Sequence, residues 1–419
     1  MSSKSMFARA FTGETGINSL MDELGQAING GDIKYMFGGG NPAEIPEVDD
    51  LIHQIASNLV LDKASFSSMI RNYDTPKGNA EFIDLLVQYF RSKHDWPIDQ
   101  DNIVISNGSQ QAIFTVLNLL AGNGEDSSRK ILLPVLPDYI GYMDQLLEPD
   151  MIVGINGKKV IASEHSYYYR PDFEAIEARL TEGDIAAMLV SRPANPTGNV
   201  LSDRDMDKLL ELADQYQTYL ILDNAYGMPW PNAIFVEASL GYHPRIIYSF
   251  SLSKIGLPMA RTGIVIAAPE IVSQIVQVNA ILALSPGNLG QKIFSRIIEE
   301  GKLSELVAAA EDYYQAKSEL ALSVLDKYLD SNLPWKLHQH QGSFFFWLWL
   351  DQSKVDSSEF YQILYQNSIL SVDGRHFFTP EHHDDPESRQ FIRLNFGRPD
   401  QEVIEGFELL AKLINTKAY

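Results

Sequence analysis

The chain has 419 residues, of which 45% are hydrophobic and 21% charged, a mixture typical of globular proteins and not of disordered or fibrous ones. Its 55 acidic and 33 basic residues give a formal net charge of −22, which disfavours binding to nucleic acid or to anionic membranes. The cysteine count of 0 excludes disulfides, thiolate metal sites, iron–sulfur clusters and a cysteine nucleophile.

The N-terminal residues around Lys4 and Arg9 include no apolar run long enough for a signal peptide. The most apolar stretch, Phe344 to Leu350, is far shorter than the roughly 20 residues that a membrane helix needs. We therefore expect a cytoplasmic protein with neither a membrane nor a nucleic acid as partner.

Short β-branched runs alternate with longer amphipathic runs, which indicates an α/β fold with a mainly parallel sheet. Helices are predicted over Asn79–Arg91, over Ser109–Leu120 and after Ser202, a residue type that caps helices. The predicted strands are Ile103–Ser106, Ile131–Val135, Met151–Ile155, Ala187–Ser191, Tyr219–Asp223, Ile246–Phe250 and Gly263–Ala267.

The pattern changes after about Gly301, where a long helical run is followed by shorter elements. These elements are Leu303–Leu329, Ser343–Leu350, Ser357–Gln366, Phe391–Phe396 and Glu402–Leu413. We expect a large domain over 51–300, a smaller α+β domain over 301–419, and an N-terminal arm over 1–50 that joins the smaller domain.

Two polar segments follow predicted strands and carry residues suited to catalysis. Lys254 lies in Ser251-Leu252-Ser253-Lys254, and a desolvated lysine of lowered pKa can form a Schiff base. A surface lysine in a turn is the alternative. Asp223 ends an apolar strand, with Tyr226 three residues later, at the sheet edge where open α/β folds bind ligands. Asp223 would hold a cationic ring nitrogen there, or it caps the next turn.

Two loops also follow strands. Ile105-Ser106-Asn107-Gly108-Ser109-Gln110 passes from a strand into a helix, the layout of a phosphate cradle, although many helices simply begin after Gly-Ser. Asn195-Pro196-Thr197-Gly198 is an ordered turn that exposes Asn195, or a plain connection.

Two arginines follow the lysine. Arg261 lies seven residues beyond Lys254 and can reach a phosphate. Arg393 lies inside the apolar run Phe391–Phe396, where it needs an anionic partner. That partner is either a ligand carboxylate or an internal aspartate or glutamate.

The order of these motifs resembles that of the fold-type I pyridoxal 5′-phosphate (PLP) aminotransferases. Further stretches that carry the resemblance are Gly38–Glu47, Pro137–Tyr142, Ser191–Val200, Asp223–Gly227 and Ser251–Pro258. The resemblance implies a large domain with a mainly parallel seven-stranded sheet between helices, and a smaller α+β domain. In many relatives the arginine lies eight residues after the lysine, one more than here.

The resemblance also implies roles for single residues. Lys254 would hold PLP as a Schiff base and move the substrate proton, and Asp223 would keep the ring nitrogen protonated. Tyr226 and Asn195 would bond the ring's phenolic oxygen, and Tyr139 would stack on the ring. Implied phosphate ligands are Gly108, Ser109, Gln110, Ser251, Arg261 and, from the other subunit of a homodimer, Tyr73. The substrate would meet Asn195, the backbone of Gly40 and, through its carboxylate, Arg393.

The resemblance further implies amino acids and 2-oxo acids as substrates, namely valine and pyruvate exchanged with 3-methyl-2-oxobutanoate and alanine. An apolar pocket walled by Phe11, Ile17, Leu20 and Ile45 would suit them. The segment Glu381–Asp385 is read as a solvated acidic loop and no metal is expected. A broad alanine or aromatic aminotransferase, or a β-elimination lyase of the same fold, remains the alternative.

Overall fold

This computed structural model describes residues 5–13, 16–18, 21–22, 25, 33–124, 127–148 and 150–419. Its helices are α1 (Met6–Phe11), α2 (Pro46–Leu61), α3 (Lys63–Ile70), α4 (Ala80–His94), α5 (Ser109–Leu120), α6 (Phe173–Leu180), α7 (Asp203–Gln215), α8 (Pro269–Ala283), α9 (Leu289–Glu299), α10 (Leu303–Tyr328), α11 (Ser357–Gln366) and α12 (Asp400–Leu413).

The strands form three sheets. They are β1 (Tyr35–Met36), β2 (Ile103–Ser106), β3 (Gly122–Asn123), β4 (Ser128–Leu136), β5 (Ile152–Asn156), β6 (Lys158–Ser163), β7 (Ser166–Arg170), β8 (Ile185–Ser191), β9 (Tyr219–Asp223), β10 (Ile246–Ser251), β11 (Gly263–Ile266), β12 (Lys336–His338), β13 (Phe345–Trp349), β14 (Ile369–Leu370), β15 (Val372–Asp373) and β16 (Phe391–Asn395).

The first sheet has the order β2-β11-β10-β9-β8-β4-β5, and the short β3 pairs with the first two residues of β4 as an eighth strand. Among the seven longer strands, β11 alone runs opposite to the other six. The predicted α/β class and seven-stranded, mainly parallel sheet are therefore confirmed. The carboxyl ends of β4, β8, β9 and β10 consequently meet along one edge.

Local sequence explains how two of the helices at this sheet begin. The Ser202 side chain accepts a hydrogen bond from the Asp205 amide (3.2 Å) and caps α7, as predicted. Gly108 precedes α5 with φ +95°, a conformation that favours glycine, so β2 can turn directly into that helix.

The second sheet has the order β15-β16-β13-β12-β7-β6. Its hairpin β6–β7 comes from the middle of the chain and pairs with β12. The sequence analysis did not separate this hairpin from the large domain, and the boundaries near residues 50 and 300 stay predictions. The early strand β1 pairs in parallel with β14, which places the turn after it beside the C-terminal elements.

The core is continuous through both large sheets, and the buried strand residues of β8, β9, β10 and β16 belong to it. Within the described ranges, no helix has the length and apolar character to cross a membrane.

Candidate active site

A cavity of about 420 Å³ opens at the carboxyl edge of the first sheet and is closed on one side by β16 of the second sheet. Its lining residues are Ile17, Met21, Gly38, Gly40, Ser109, Gln110, Ile113, Tyr139, Tyr142, Ser191, Asn195, Asp223, Ala225, Tyr226, Ser251, Ser253, Lys254, Arg261 and Arg393. Eleven of the residues that the sequence proposed as site residues are in this set, and Gly108 and Tyr73 are the two that are not.

Lys254 lies just after β10, in a single 3-10 turn, and its amine points into the cavity. Nζ donates a hydrogen bond to the backbone oxygen of Gly40 (2.7 Å). Burial, with a smaller contribution from the positive charges of Arg393 and Arg261, lowers the pKa of Lys254 to about 8, and the negative charge of Asp223 opposes this shift. A minor fraction of the amine, on the order of a tenth at pH 7, is therefore neutral and can act as a nucleophile.

Asp223 is the last residue of β9 and is buried at the floor of the cavity. Its two carboxylate oxygens are held separately: Oδ1 accepts from the Ala225 amide (3.1 Å) and Oδ2 from the Tyr142 hydroxyl (2.7 Å). Burial raises the pKa of Asp223, and these hydrogen bonds lower it. The carboxylate is thus fixed in place and faces the cavity with its remaining lone pairs.

Asn195 lies in the loop after β8 of the first sheet and forms a hydrogen bond with Arg393 in β16 of the second sheet. Its Oδ1 accepts from Arg393 Nη1 (2.9 Å), and its side chain also hydrogen-bonds Tyr226. Burial raises the pKa of Tyr226 well above its usual value, so its hydroxyl is protonated and can donate a hydrogen bond. Tyr226 is packed edge-on against Phe344, with ring centroids 5.2 Å apart.

Arg393, in the middle of β16, is 2% exposed and carries no carboxylate partner among the described residues. Nη2 donates to the backbone oxygen of Gly38 (2.6 Å), and the guanidinium lies 4.3 Å from the centroid of the Phe345 ring. Its Nε is buried without a hydrogen-bond partner. The alternative of an internal salt bridge is therefore wrong for the described chain, and a buried cation of this kind fits an anionic ligand.

A second anion-binding position lies at the N-terminus of α5. Arg261 extends over Gly108, where an added Cβ would come within 2.1 Å of its Nη2. Within the described part of the chain, the guanidinium donates to neutral groups alone, among them the backbone oxygens of Asn107 (3.3 Å) and Pro258 (3.2 Å). The spacing of seven residues after the lysine therefore still brings Arg261 to the cradle formed by Gly108, Ser109 and Gln110.

The predicted apolar wall is present only in part. Ile17 lines the cavity, whereas Leu20 lies outside the described residues. Phe11 instead packs against Phe114 (5.5 Å between centroids), and Ile45 is buried in the core away from the lining. Met21 and Ile113 supply the remaining apolar lining.

Sequence reasoning assigned no role to three polar residues of the lining, Ser191, Ser253 and Tyr142. Ser253 was part of the Ser-x-Ser-Lys motif, so its signal was available. Tyr142 was quoted in the Pro-Asp-Tyr turn, but its contact with Asp223 depends on the packing of β4 beside β8 and β9, which no local pattern reports.

A lysine of lowered pKa lies at the carboxyl edge of an α/β sheet, between two arginines that have no acidic partner among the described residues. This arrangement is typical of an enzyme that uses a lysine amine and binds two anionic groups at once. The model for aminotransferases of class I and II matches residues 40–409, and the chain belongs to that family. It is therefore an aminotransferase.

Individual relatives are similar over nearly their whole length. Valine–pyruvate aminotransferase of Escherichia coli K12 is 36% identical over 98% of this chain and 97% of its own. The crystal structure of valine–pyruvate aminotransferase from Salmonella typhimurium LT2 superposes with a TM-score of 0.85 and 33% identity, covering 95% of this chain and 98% of that one. A Psychrobacter arcticum protein assigned as an amino-acid aminotransferase gives 0.95 and 35%, covering 99% and 98%.

Proposed function

We propose that this protein is a PLP-dependent transaminase that exchanges amino and oxo groups between valine and pyruvate, forming 3-methyl-2-oxobutanoate and alanine. The observation that carries the reaction type is the placement of Lys254, Asp223 and Arg393 around one cavity. The substrate pair is supported by the full-length similarity to the valine–pyruvate enzymes. A cytoplasmic location stays a prediction.

The residues of the cavity fit PLP, the cofactor on which this family depends. The cradle at α5 offers free backbone amides, Ser109 and Arg261, and a side chain at Gly108 would fill it. Asp223 supplies the carboxylate for a protonated ring nitrogen, and Tyr226 with Asn195 supplies hydrogen bonds for a phenolic oxygen. When bound, PLP supplies an electron sink for the charge left on the substrate when its Cα proton is removed.

The chain's own groups then have distinct tasks. Arg393 binds the substrate α-carboxylate and fixes the direction of the Cα–H bond. Lys254 Nζ, whose pKa of about 8 leaves part of it neutral, takes the proton from Cα. Asp223 holds a proton on the ring nitrogen, and Tyr139 covers one side of the cavity.

The lining also limits the substrates. Arg261 and Arg393 are the arginines among the described lining residues, so no third arginine is there for a side-chain carboxylate. Ile17, Met21 and Ile113 present apolar surface that suits aliphatic side chains. Because an apolar pocket separates substrates differing by one methylene by only about 1–3 kcal/mol, we expect alanine and other aliphatic donors to react as well.

A panel of amino donors with pyruvate tests this proposal. We expect 3-methyl-2-oxobutanoate from valine, with aspartate and glutamate much slower, and no product with Lys254→Ala. Preference for phenylalanine or tyrosine would favour an aromatic aminotransferase instead. Release of ammonia and pyruvate without an oxo-acid acceptor would favour the β-elimination lyase.

We further propose a homodimer in which Tyr73 of each chain contributes to the other site. Tyr73 is 81% exposed and lies outside the cavity of its own chain. Other large apolar side chains are exposed on neighbouring segments, namely Phe66, Ile70, Met259, Ile281 and Leu284. A hydrogen bond from Asn288 Nδ2 to the Ser68 backbone oxygen (3.5 Å) ties α3 to the segment after α8.

Mixed dimers test this arrangement. We expect Tyr73→Ala alone to weaken PLP binding and Lys254→Ala alone to be inactive. In a dimer of one chain of each kind, one of the two sites has both residues intact, so PLP affinity and turnover per intact site return to wild-type values. A protein that sediments as a monomer, or a mixed sample without recovered activity, would contradict the shared site.

A further inference from the structure

The carboxylate of Asp223 accepts a hydrogen bond from Tyr142, a tyrosine to which the sequence analysis gave no role. Tyr142 is 1% exposed, and its hydroxyl donates to Asp223 Oδ2 over 2.7 Å. The Ala225 amide holds the other oxygen at 3.1 Å. Tyr142 is the single described side chain that hydrogen-bonds this carboxylate.

The position of Tyr142 is itself tightly defined. Asp138, at the start of the same turn, accepts hydrogen bonds from the amide of Tyr139 (2.7 Å) and the amide of Ser191 (3.2 Å), which ties the turn to the end of β8. Gly141 leaves room for the neighbouring ring, since a Cβ there would lie 2.3 Å from Tyr139 Cε1. The rings of Tyr139 and Tyr142 then meet edge to face at 5.2 Å.

We infer that Tyr142 is a positioning residue that acts through Asp223: its hydroxyl fixes Oδ2 and stabilises the ionised carboxylate that faces the cavity. A carboxylate at the end of a buried strand loses the solvation that keeps it charged, and a hydrogen-bond donor replaces part of it. The consequence for catalysis rests on the proposed function, because an ionised Asp223 is what keeps a ring nitrogen protonated. The effect of Tyr142 on the ionisation of Asp223 does not depend on the proposed function.

The other charged and titratable groups around Asp223 stabilise its ionised form less than Tyr142 does. Burial raises the pKa of Asp223, and the hydrogen bond from Tyr142 is the largest influence that lowers it, ahead of the Ala225 amide and the charge of Lys254. The titratable groups whose charges interact with Asp223 are Lys254, Asp138, Tyr139, Tyr142 and Tyr226. Of these, Lys254 alone is cationic, and it is partly neutral at pH 8.

A titration of the cofactor-free protein tests the inference directly. Carbon-13 label at aspartate Cγ reports each carboxyl, and Asp223→Asn identifies the Asp223 signal. Because a hydrogen bond to a charged group contributes about 1.5–3 kcal/mol, we expect Tyr142→Phe to raise the proton affinity of Asp223 about tenfold or more. Tyr248→Phe, which removes another buried hydroxyl, should leave it unchanged.

A second substitution works in the opposite direction and keeps the shape of the ring. Difluorotyrosine at position 142 is a stronger hydrogen-bond donor, so the pKa of Asp223 should fall below that of the wild type. This variant decides the matter if Tyr142→Phe fails to fold. An Asp223 titration that neither substitution moves overturns the inference.

The holoenzyme gives an independent readout. With PLP saturating, we expect Tyr142→Phe to lower kcat about tenfold while KM for valine changes less than about twofold, because Tyr142 bonds Asp223 and leaves Arg393, the group assigned to the substrate carboxylate, unchanged. Equal losses in Tyr248→Phe would mark a general loss of packing and overturn the assignment. A wild-type protein that binds no PLP would refute the proposed function, whereas the cofactor-free titration would still decide the role of Tyr142.

Discussion

The site contains two anion-binding regions that are built in different ways. Arg261 follows β10 in an exposed loop with φ +45°, and its guanidinium reaches back to the N-terminus of α5. Arg393 is an interior residue of β16, is 2% exposed and lies against the Phe345 ring. Backbone amides and hydroxyl groups lie beside Arg261 and can bind the same anion, whereas the cross-strand neighbours of Arg393 are the uncharged Trp347 and Val372.

This difference in burial indicates how much each arginine contributes to binding of the substrate and of the cofactor. Burial removes much of the hydration of Arg393 and lowers its pKa to about 10, so this cation gains strongly from a bidentate carboxylate. Arg261 keeps contact with water, so solvent screens its charge. The donors at the N-terminus of α5 can bind the same anion when the arginine is removed. We expect the strand arginine to dominate substrate recognition, and the loop arginine to contribute a smaller part of cofactor binding.

Lys254 lies between the two regions, and its removal should have the largest effect. Lys254→Ala leaves both arginines in place but removes the amine that joins the cofactor and moves the substrate proton. We expect kcat to fall about 10⁴-fold or more and the visible absorbance of the covalently bound cofactor to disappear. Absorbance spectra and oxo-acid assays measure both. Lys302→Ala, a change at an exposed lysine, is the matched control, and unchanged spectra in Lys254→Ala would sink the assignment.

Asp223→Ala should have the next largest effect. It removes the carboxylate that holds the ring nitrogen protonated while Arg261 and the α5 cradle still hold the phosphate. We expect some PLP to remain bound and kcat to fall about 10²-fold or more. Full activity in this variant would show that no electron sink depends on Asp223.

Arg393→Ala separates the two regions most clearly. Loss of one partner of a buried charge pair costs about 2–5 kcal/mol, so KM should rise roughly 10²-fold for every amino donor tested. The PLP dissociation constant should change little, since Arg393 is not at the cradle. An increase confined to one donor would assign Arg393 to side-chain recognition. Arg393→Lys should recover only part of the loss, because an amine cannot form two parallel hydrogen bonds.

Much of this architecture follows from local sequence. Strands β2 and β9 have the predicted bounds, as do α5 and α11, because each is a short apolar or periodic run between clear breaks. Lys254, Asp223 and Asn195 were found for the same reason: each lies at the carboxyl end of such a strand or a few residues beyond it, and these ends meet at one edge of the sheet.

The parts that escaped prediction depend on distant packing. The hairpin β6–β7 joins the second sheet only through β12, which lies about 170 residues later in the chain. The contact of Tyr142 with Asp223 spans 81 residues. Whether Arg393 paired with a carboxylate was left open because its neighbours, Asn195 and Gly38, come from two other parts of the chain.

Arg261→Gln should give the smallest effect and is the sharpest test of the contrast between the two arginines. Because Gly108, Ser109 and Gln110 still offer donors, we expect the PLP dissociation constant to rise only about tenfold, with KM for valine unchanged at saturating PLP. Added salt should reduce the difference in PLP dissociation constant between Arg261→Gln and the wild type. Ions screen the field of an exposed charge, with a screening length of about 10 Å at 0.1 M ionic strength. The KM ratio between Arg393→Ala and the wild type should be insensitive to salt, because that cation is buried. Equal salt dependence at both positions would mean that burial does not distinguish the two anion sites.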